Sequence, residues 1–167
     1  EGKPDGSYGP TENVDRAQMA KMLSVIMNKG VDNSALYQSV NSGLTDITSH
    51  WAKGHINYCY TTGIIAGRGN GKFDPSATVT ALEAAKMLLV AVGYDPAIEG
   101  FEGADWAINV SVRADEQGIF EGFTKDLSAP LNRDDAALLI YNALDVEMIQ
   151  SYTTNNYPIA YSDNRTI

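Results

Sequence analysis

Cationic side chains are scarce in this sequence. Twelve Lys and Arg stand against 21 Asp and Glu, giving a net charge of -9 and a pI near 4.5. Phosphate-backbone recognition needs a basic face, so nucleic acid is excluded as the main partner. Simple adhesion to an anionic lipid surface is excluded on the same ground. There is one cysteine, Cys59, which permits neither an internal disulfide nor a zinc set. It follows Tyr58 in an apolar helical pattern and reads as a small buried hydrophobe. No run reaches the roughly 18 apolar residues that a membrane span needs.

Catalytic patterns are also missing. His50 and His55, the two histidines, are not at the spacing of a helical zinc pair, and no Ser-His-Asp grouping or nucleophile elbow is legible. The glycine cluster Gly67 to Gly71 lacks a following Gly-Lys-Ser/Thr and sits between two helical patterns, which excludes a phosphate loop. The Asp and Asn clusters do not follow EF-hand spacing. No enzyme, metal or cofactor is expected. The opening residues, Glu1 to Gly6, lack both an initiator Met and the apolar core of an export signal. A fragment or processed product is expected, with any such signal outside it.

Apolar residues nevertheless make up 44% of the chain, enough for a core, and their arrangement repeats. Asp5-Gly6-Ser7-Tyr8-Gly9-Pro10 leads to Val14-Asp15-Arg16-Ala17-Gln18 and Ala20-Lys21-Met22-Leu23. Asn70-Gly71-Lys72-Phe73-Asp74-Pro75 leads in the same way to Val79-Thr80-Ala81-Leu82-Glu83 and Ala85-Lys86-Met87-Leu88. The spacing from Gln18 to Glu83 is 65 residues. A looser third copy, Leu131-Asn132-Arg133-Asp134-Asp135, follows Glu83 to Asp135 at 52. Ahead of the second and third copies stand His50-Trp51-Ala52 and Asp105-Trp106-Ala107, each with its Trp twelve residues before a glycine, Gly63 or Gly118. Fixed periods of this size indicate repeat architecture. Each unit reads as a Trp-bearing helix, a Gly-rich loop and a second helix, and the first unit begins midway.

The middle unit shows the local logic. Its first helix is expected near Ser49, a good N-cap, with Trp51, Ile56 and Cys59 on the buried side and Gly63 as the stop. Ile64-Ile65 reads as a short extended piece, and Gly67 to Gly71 as a turn cluster that permits positive φ. Phe73 and Pro75 pin the loop back. Thr80 and Glu83 form a capping box, and Leu82, Ala85, Leu88, Leu89 and Val92 share one apolar face that ends at Gly93. One unit cannot bury two helix faces alone, whereas three stacked units can.

These motifs resemble the S-layer homology family: Asp46-Ile47, His50-Trp51-Ala52, Gly63-Ile64-Ile65-Ala66-Gly67, Gly69-Asn70-Gly71-Lys72-Phe73-Asp74-Pro75 and Thr80-Ala81-Leu82-Glu83. The resemblance runs from about Asp5 to Asp145. It implies an all-α fold of helix–loop–helix repeats in a pseudo-threefold bundle with grooves between its prongs. The units are expected at 1–43 (second half only), 44–99 and 100–145, with 146–167 as an exit strand or linker. The implied function is noncovalent anchoring of a secreted surface protein to secondary cell wall polysaccharide, often pyruvylated. The implied location is extracellular, in the cell wall or S-layer.

Arg16 and Arg133 are the residues that helix formation does not explain. A cation in the first helical turn opposes the helix dipole at a cost of about 0.3–1 kcal/mol. An arginine at a helix start does suit a carboxylate such as that of a pyruvate ketal. Ala81 stands at the equivalent place in the middle unit, so a weak or silent groove is expected there. Arg68 and Lys72 in the loop, and Lys21 and Lys86 one turn into the second helices, are further glycan-binding candidates. Trp51 and Trp106 suit sugar stacking, although burial in the core is the favoured reading for both. A different role stays open: packing against neighbouring copies in a surface layer, with degenerate glycan sites.

Overall fold

A computed structural model describes Lys3 and residues 5–167; Glu1, Gly2 and Pro4 of the opening segment lie outside the described residues. The chain is mainly helical. It comprises α1 (Arg16–Met27), a 3-10 helix (Ser34–Tyr37), α2 (Lys53–Thr61), α3 (Ala81–Ala91), α4 (Trp106–Glu116), α5 (Arg133–Ala143) and a hairpin of β1 (Ile149–Tyr152) and β2 (Pro158–Ala160). In chain order α1, α3 and α5 are the second helices of the three units, and α2 and α4 are the first; Trp106 opens α4, whereas Trp51 stands two residues ahead of α2. The core runs through all of them, with Leu23, Ile56, Phe73, Leu88, Val110 and Leu139 at 0% exposure.

The three units meet in a ring of backbone hydrogen bonds. The residue just before each N-cap of α1, α3 and α5 is buried: Val14, Val79 and Leu131. The Val14 N–H donates to the Leu131 carbonyl (2.8 Å), the Leu131 N–H to Val79 (2.7 Å) and the Val79 N–H to Val14 (3.0 Å). Each residue donates once and accepts once, so the three chain segments close on one another about a pseudo-threefold axis. Buried backbone polar groups must be paired, and here each unit is paired only through the other two.

The same closure caps the helices. Asp15 and Thr80 make complete capping boxes with Gln18 and Glu83, while Asn132 accepts from the Asp135 N–H. The next N–H groups would lack intrahelical partners, and loop carbonyls of the neighbouring unit accept them. Arg16 and Ala17 donate to Ala77 and Pro75, Arg133 and Asp134 to Glu12 and Pro10, and Leu82 to Leu127. The helix starts therefore hold their N–H groups for the adjacent loop. At the starts of α1 and α5 these N–H groups are thus already bonded within the protein.

Two further expectations change in the middle unit. The first helix starts at Lys53, with Ala52 at the N-cap and no side-chain cap, because residues 48–52 form turns ahead of it. Trp51 falls in that turn and is 56% exposed, so it is no core residue. Ile56 and Cys59 are fully buried. Burial pushes the Cys59 thiol up to about 12, which keeps it protonated and inert. Ile64 and Ile65 are buried in irregular chain rather than in a strand.

The connectors differ in length. The longer one, between α1 and α2, carries the 3-10 helix and lays it on α2. The Ser34 carbonyl there lies 2.1 Å from where a Cβ on Gly54 would sit, so only glycine admits the approach. Asn57 of α2 donates to the Tyr37 and Val40 carbonyls of the same connector.

The hairpin folds back onto the C-terminal end of α3. Its strands pair antiparallel, with Ile149 opposite Ala160 and Tyr152 opposite Pro158 around an irregularity. The Ile149 N–H donates to the Val92 carbonyl at 2.7 Å. Gly93 (φ +105°) passes close beneath the Ile149 carbonyl, 2.5 Å from the place of an added Cβ.

Candidate functional site

A groove of about 380 Å³ opens beside the start of α3. All three units contribute to it: Arg16 from the first, Arg68, Glu83 and Lys86 from the second, and Phe101, Glu102 and Trp106 from the third. Four of the eight candidate residues thus converge, namely Arg16, Arg68, Lys86 and Trp106. Lys72 is not among the groove's lining residues; it is exposed, and its carbonyl and N–H close the loop turn with Arg68 and Gly69.

Arg16 is 4% exposed. Its Nε donates to the Phe73 carbonyl (2.9 Å) and its Nη2 to the Ala66 carbonyl (2.7 Å). Its guanidinium lies 4.5 Å from the Phe73 ring centre, a cation–π stack. Burial, and next the Arg68 charge, push Arg16 down to about 10, which leaves it cationic at neutral pH. Its first duty is therefore to fasten the loop of the second unit to α1, with the remaining edge of the charge facing the groove. A helix-start arginine can thus be structural in a way that the dipole argument did not reveal.

Arg68 is the exposed cation of the pair, its side chain 43% accessible, and it meets the Glu83 carboxylate at 2.9 Å. Glu83 also accepts from the Thr80 N–H, so the capping box holds the arginine in place. The Lys86 ammonium donates to the Phe101 carbonyl at 2.5 Å and lies 5.7 Å from the Trp106 ring centre. Burial moves Lys86 below its ordinary value, against the pull of Glu102. A half-desolvated cation under an aromatic wall suits a ligand with both a carboxylate and an apolar face. Phe101 and Glu102 gave no signal in the sequence; the Glu83 signal was absorbed by its capping role.

The loop opposite is anchored from below. The Phe73 and Asp74 N–H groups donate to the Asp46 carboxylate at 2.8–3.1 Å. Burial raises Asp46, but these bonds outweigh it and hold the carboxyl below its ordinary value.

The other candidates follow the repeat. Arg133 stacks on Tyr8 at 4.9 Å as Arg16 does on Phe73, and Tyr8 Oη donates to the Arg133 carbonyl at 3.0 Å. Lys21 and Trp51 stand at the positions of Lys86 and Trp106 in the repeat. At the start of α3 the pair is replaced on both sides. Ala81 is fully buried, and Lys125, which takes the aromatic position, pairs with Asp135 instead.

One grouping not legible in the sequence appears on α1. Ser24 Oγ lies 2.6 Å from His55 Nδ1, and His55 Nε2 lies 3.7 Å from Asp32. Ser24 Oγ also donates to the Lys21 carbonyl at 3.0 Å. Both Ser24 and His55 are buried. The grouping joins α1 to α2. Among the described residues no cluster of His, Cys, Asp and Glu could hold a metal ion, and no helix is long and apolar enough to cross a membrane.

The S-layer homology domain is the family whose sequence model matches this chain, over residues 1–20 and 43–85. Those spans hold Arg16, Arg68, Glu83 and the loop that Arg16 fastens. The chain belongs to the S-layer homology family. A cell surface protein of Thermoanaerobacter kivui is 31% identical over 150 residues, 89% of this chain and 19% of that protein. S-layer protein EA1 of Bacillus anthracis is 32% identical over 99 residues, 59% of this chain and 11% of its own length. An amylopullulanase of Thermoanaerobacterium thermosulfurigenes is 30% identical over 159 residues, 87% of this chain and only 8% of that enzyme. The chain thus spans about a fifth or less of these relatives. Its S-layer homology repeats are a cell-surface anchoring module, and the small share of the amylopullulanase that it matches is no sign of catalysis in the module itself.

Proposed function

We propose that this S-layer homology module anchors a larger surface protein by binding an anionic, pyruvylated wall polysaccharide in the groove of Arg16, Arg68, Lys86 and Trp106. The carrying observation is the convergence of three cations and an indole on one groove in a protein of net charge -9. Arg68 and Lys86 take the ketal carboxylate, Trp106 offers its face to a sugar ring, and Glu83 and Glu102 accept from hydroxyls. The module itself carries out no catalysis, and its cargo acts from other parts of the polypeptide at the cell wall.

A second groove is part of the same reading. Arg133, Lys21 and Trp51 would form it, with Tyr8 beneath Arg133. It lacks a carboxylate at the place of Glu83, where Gln18 stands. At the place that Arg16 and Arg133 take in the repeat the middle unit has Ala81, so a third groove built on such an arginine is not part of this reading.

Packing against neighbouring copies in a surface layer is the rival role. Sedimentation with purified cell walls, native or chemically stripped of pyruvate, separates the two. The glycan reading expects binding to native walls and its loss on stripped ones. Equal binding to both sinks it.

A further inference from the structure

The C-terminal hairpin and the groove are joined by one short segment. Residues 94–103 leave α3 beneath the hairpin and enter the groove wall as Phe101, Glu102 and Gly103. At the hairpin end, Tyr152 Oη donates to Glu99 Oε1 at 2.9 Å and accepts from the Asp95 N–H at 3.0 Å. The other oxygen of Glu99 accepts two bonds from Arg113 of α4, at 2.8 and 3.0 Å. Arg113 lies 5.2 Å from the Tyr94 ring centre. The Glu99 side chain is 6% exposed, so its bonds are shielded from water and strong. Burial, with the Glu99 carboxylate, holds the Tyr152 phenol above its ordinary range, so the proton stays on Oη to donate.

Between the two ends the segment is fixed in short steps. The Glu99 N–H donates to Asp95, the Phe101 N–H to Pro96, and Asn109 of α4 to the Gly100 carbonyl. Phe101 is fully buried, and its carbonyl is the group that holds the Lys86 ammonium under Trp106. No hairpin residue is among those lining the groove, and the strut between them is pinned at Ala97, Ile98, Glu99, Gly100 and Phe101.

We infer that Tyr152 and Glu99 are positioning residues for the groove: the hairpin clamps the strut that sets the Phe101 carbonyl, and through it the Lys86 ammonium. The chain that leaves the hairpin is then coupled to the groove wall rather than hung from it by a loose tether. This rests on the groove being the glycan site, and the test separates the two claims.

The test uses Trp51→Phe protein, in which Trp106 is the single tryptophan. Tyr152→Phe is introduced there, with Tyr157→Ser on the same hairpin as the control, since Tyr157 is 69% exposed. Lys86→Ala reports on the groove itself. Three quantities are measured: Trp106 emission without ligand, affinity for purified pyruvylated wall polysaccharide, and melting temperature. The expected result for Tyr152→Phe is a shifted Trp106 emission and roughly threefold to tenfold weaker binding, in the range of mutations along coupled networks. Tyr157→Ser changes neither. Unchanged emission and affinity in Tyr152→Phe, with binding lost in Lys86→Ala, overturns the inference and leaves the groove reading intact. Weaker binding and a lower melting temperature with unchanged emission also overturns it, as general destabilisation. Undiminished binding in Lys86→Ala sinks the groove reading, while a shifted emission in Tyr152→Phe still upholds the strut.

Discussion

The starts of α1 and α3 have the same backbone and different chemistry. Both are preceded by a buried valine of the central ring, both carry a complete capping box, and both are capped by the loop of the next unit. Yet α1 presents Arg16 stacked on Phe73, whereas α3 presents Ala81 opposite Lys125. The cation and the aromatic are exchanged together. The ring and caps therefore specify the fold, and the Arg–aromatic pair is a separable addition that fastens a loop and charges a groove.

The largest effect should come from the shared part. Val79→Pro removes the N–H that bonds Val14 and opens the ring, and a proline replacing a paired donor costs about 3 kcal/mol or more. Urea titration followed by circular dichroism should show loss of the cooperative fold or a midpoint far below wild type. A variant within about 1 kcal/mol of wild type, inside the spread of ordinary substitutions, would show that the ring is dispensable.

Arg16→Ala addresses the separable part. It leaves the Phe73 and Ala66 carbonyls without their donor, at about 1–3 kcal/mol. The reciprocal variant Ala81→Arg/Lys125→Phe should be nearly neutral if the pair is transplantable. Strong destabilisation of that double variant in thermal melts would show that the α3 start has diverged in more than the pair.

The connectors sharpen the same contrast. Gly54→Ala drives a methyl into the Ser34 carbonyl and should cost about 1–3 kcal/mol as overpacking. Gly63→Ala has open space around its Cβ and bears only the φ of +79°, so it should cost less. Amide exchange over residues 32–40 should rise in Gly54→Ala and not in Gly63→Ala.

The smallest effect concerns Asp46, which accepts from the Phe73 and Asp74 N–H groups. Its folded value lies below its ordinary 3.8. Its contribution is therefore complete above that value and is lost as pH falls through the lower, folded one. Asp46→Ala should cost about 1 kcal/mol at neutral pH. The gap to wild type should close on acidification below pH 3.8. A gap independent of pH would assign the loss to packing.

Much of this is legible in the sequence. The repeat period, Thr80 and Glu83 as a capping box and Gly63 and Gly93 as helix stops are local signals, and local chemistry decided them. The ring of Val14, Val79 and Leu131 was not legible, because it pairs residues 52 to 117 positions apart and a buried apolar residue does not announce its backbone partner. Trp51 was misplaced as a core residue because a tryptophan fits either side of a helix start, and the turn at 48–52 placed it outside. Arg16 was chosen for an electrostatic reason and proved to be held by carbonyls and a ring, while Arg68, a further glycan-binding candidate in the loop, is the more accessible cation. Phe101 and Glu102 entered the groove only through tertiary packing of the third unit.

The central claim is that accessible cations in this groove hold an anionic wall glycan. The most direct measurement is calorimetric titration of Arg68→Ala/Lys86→Ala with pyruvylated wall polysaccharide. Both side chains reach into the groove and neither is buried in the core, so the fold should persist. The groove account predicts binding weakened by at least about tenfold, the equivalent of 1.4 kcal/mol, with the melting temperature close to wild type. Wild-type affinity in the double variant would contradict it.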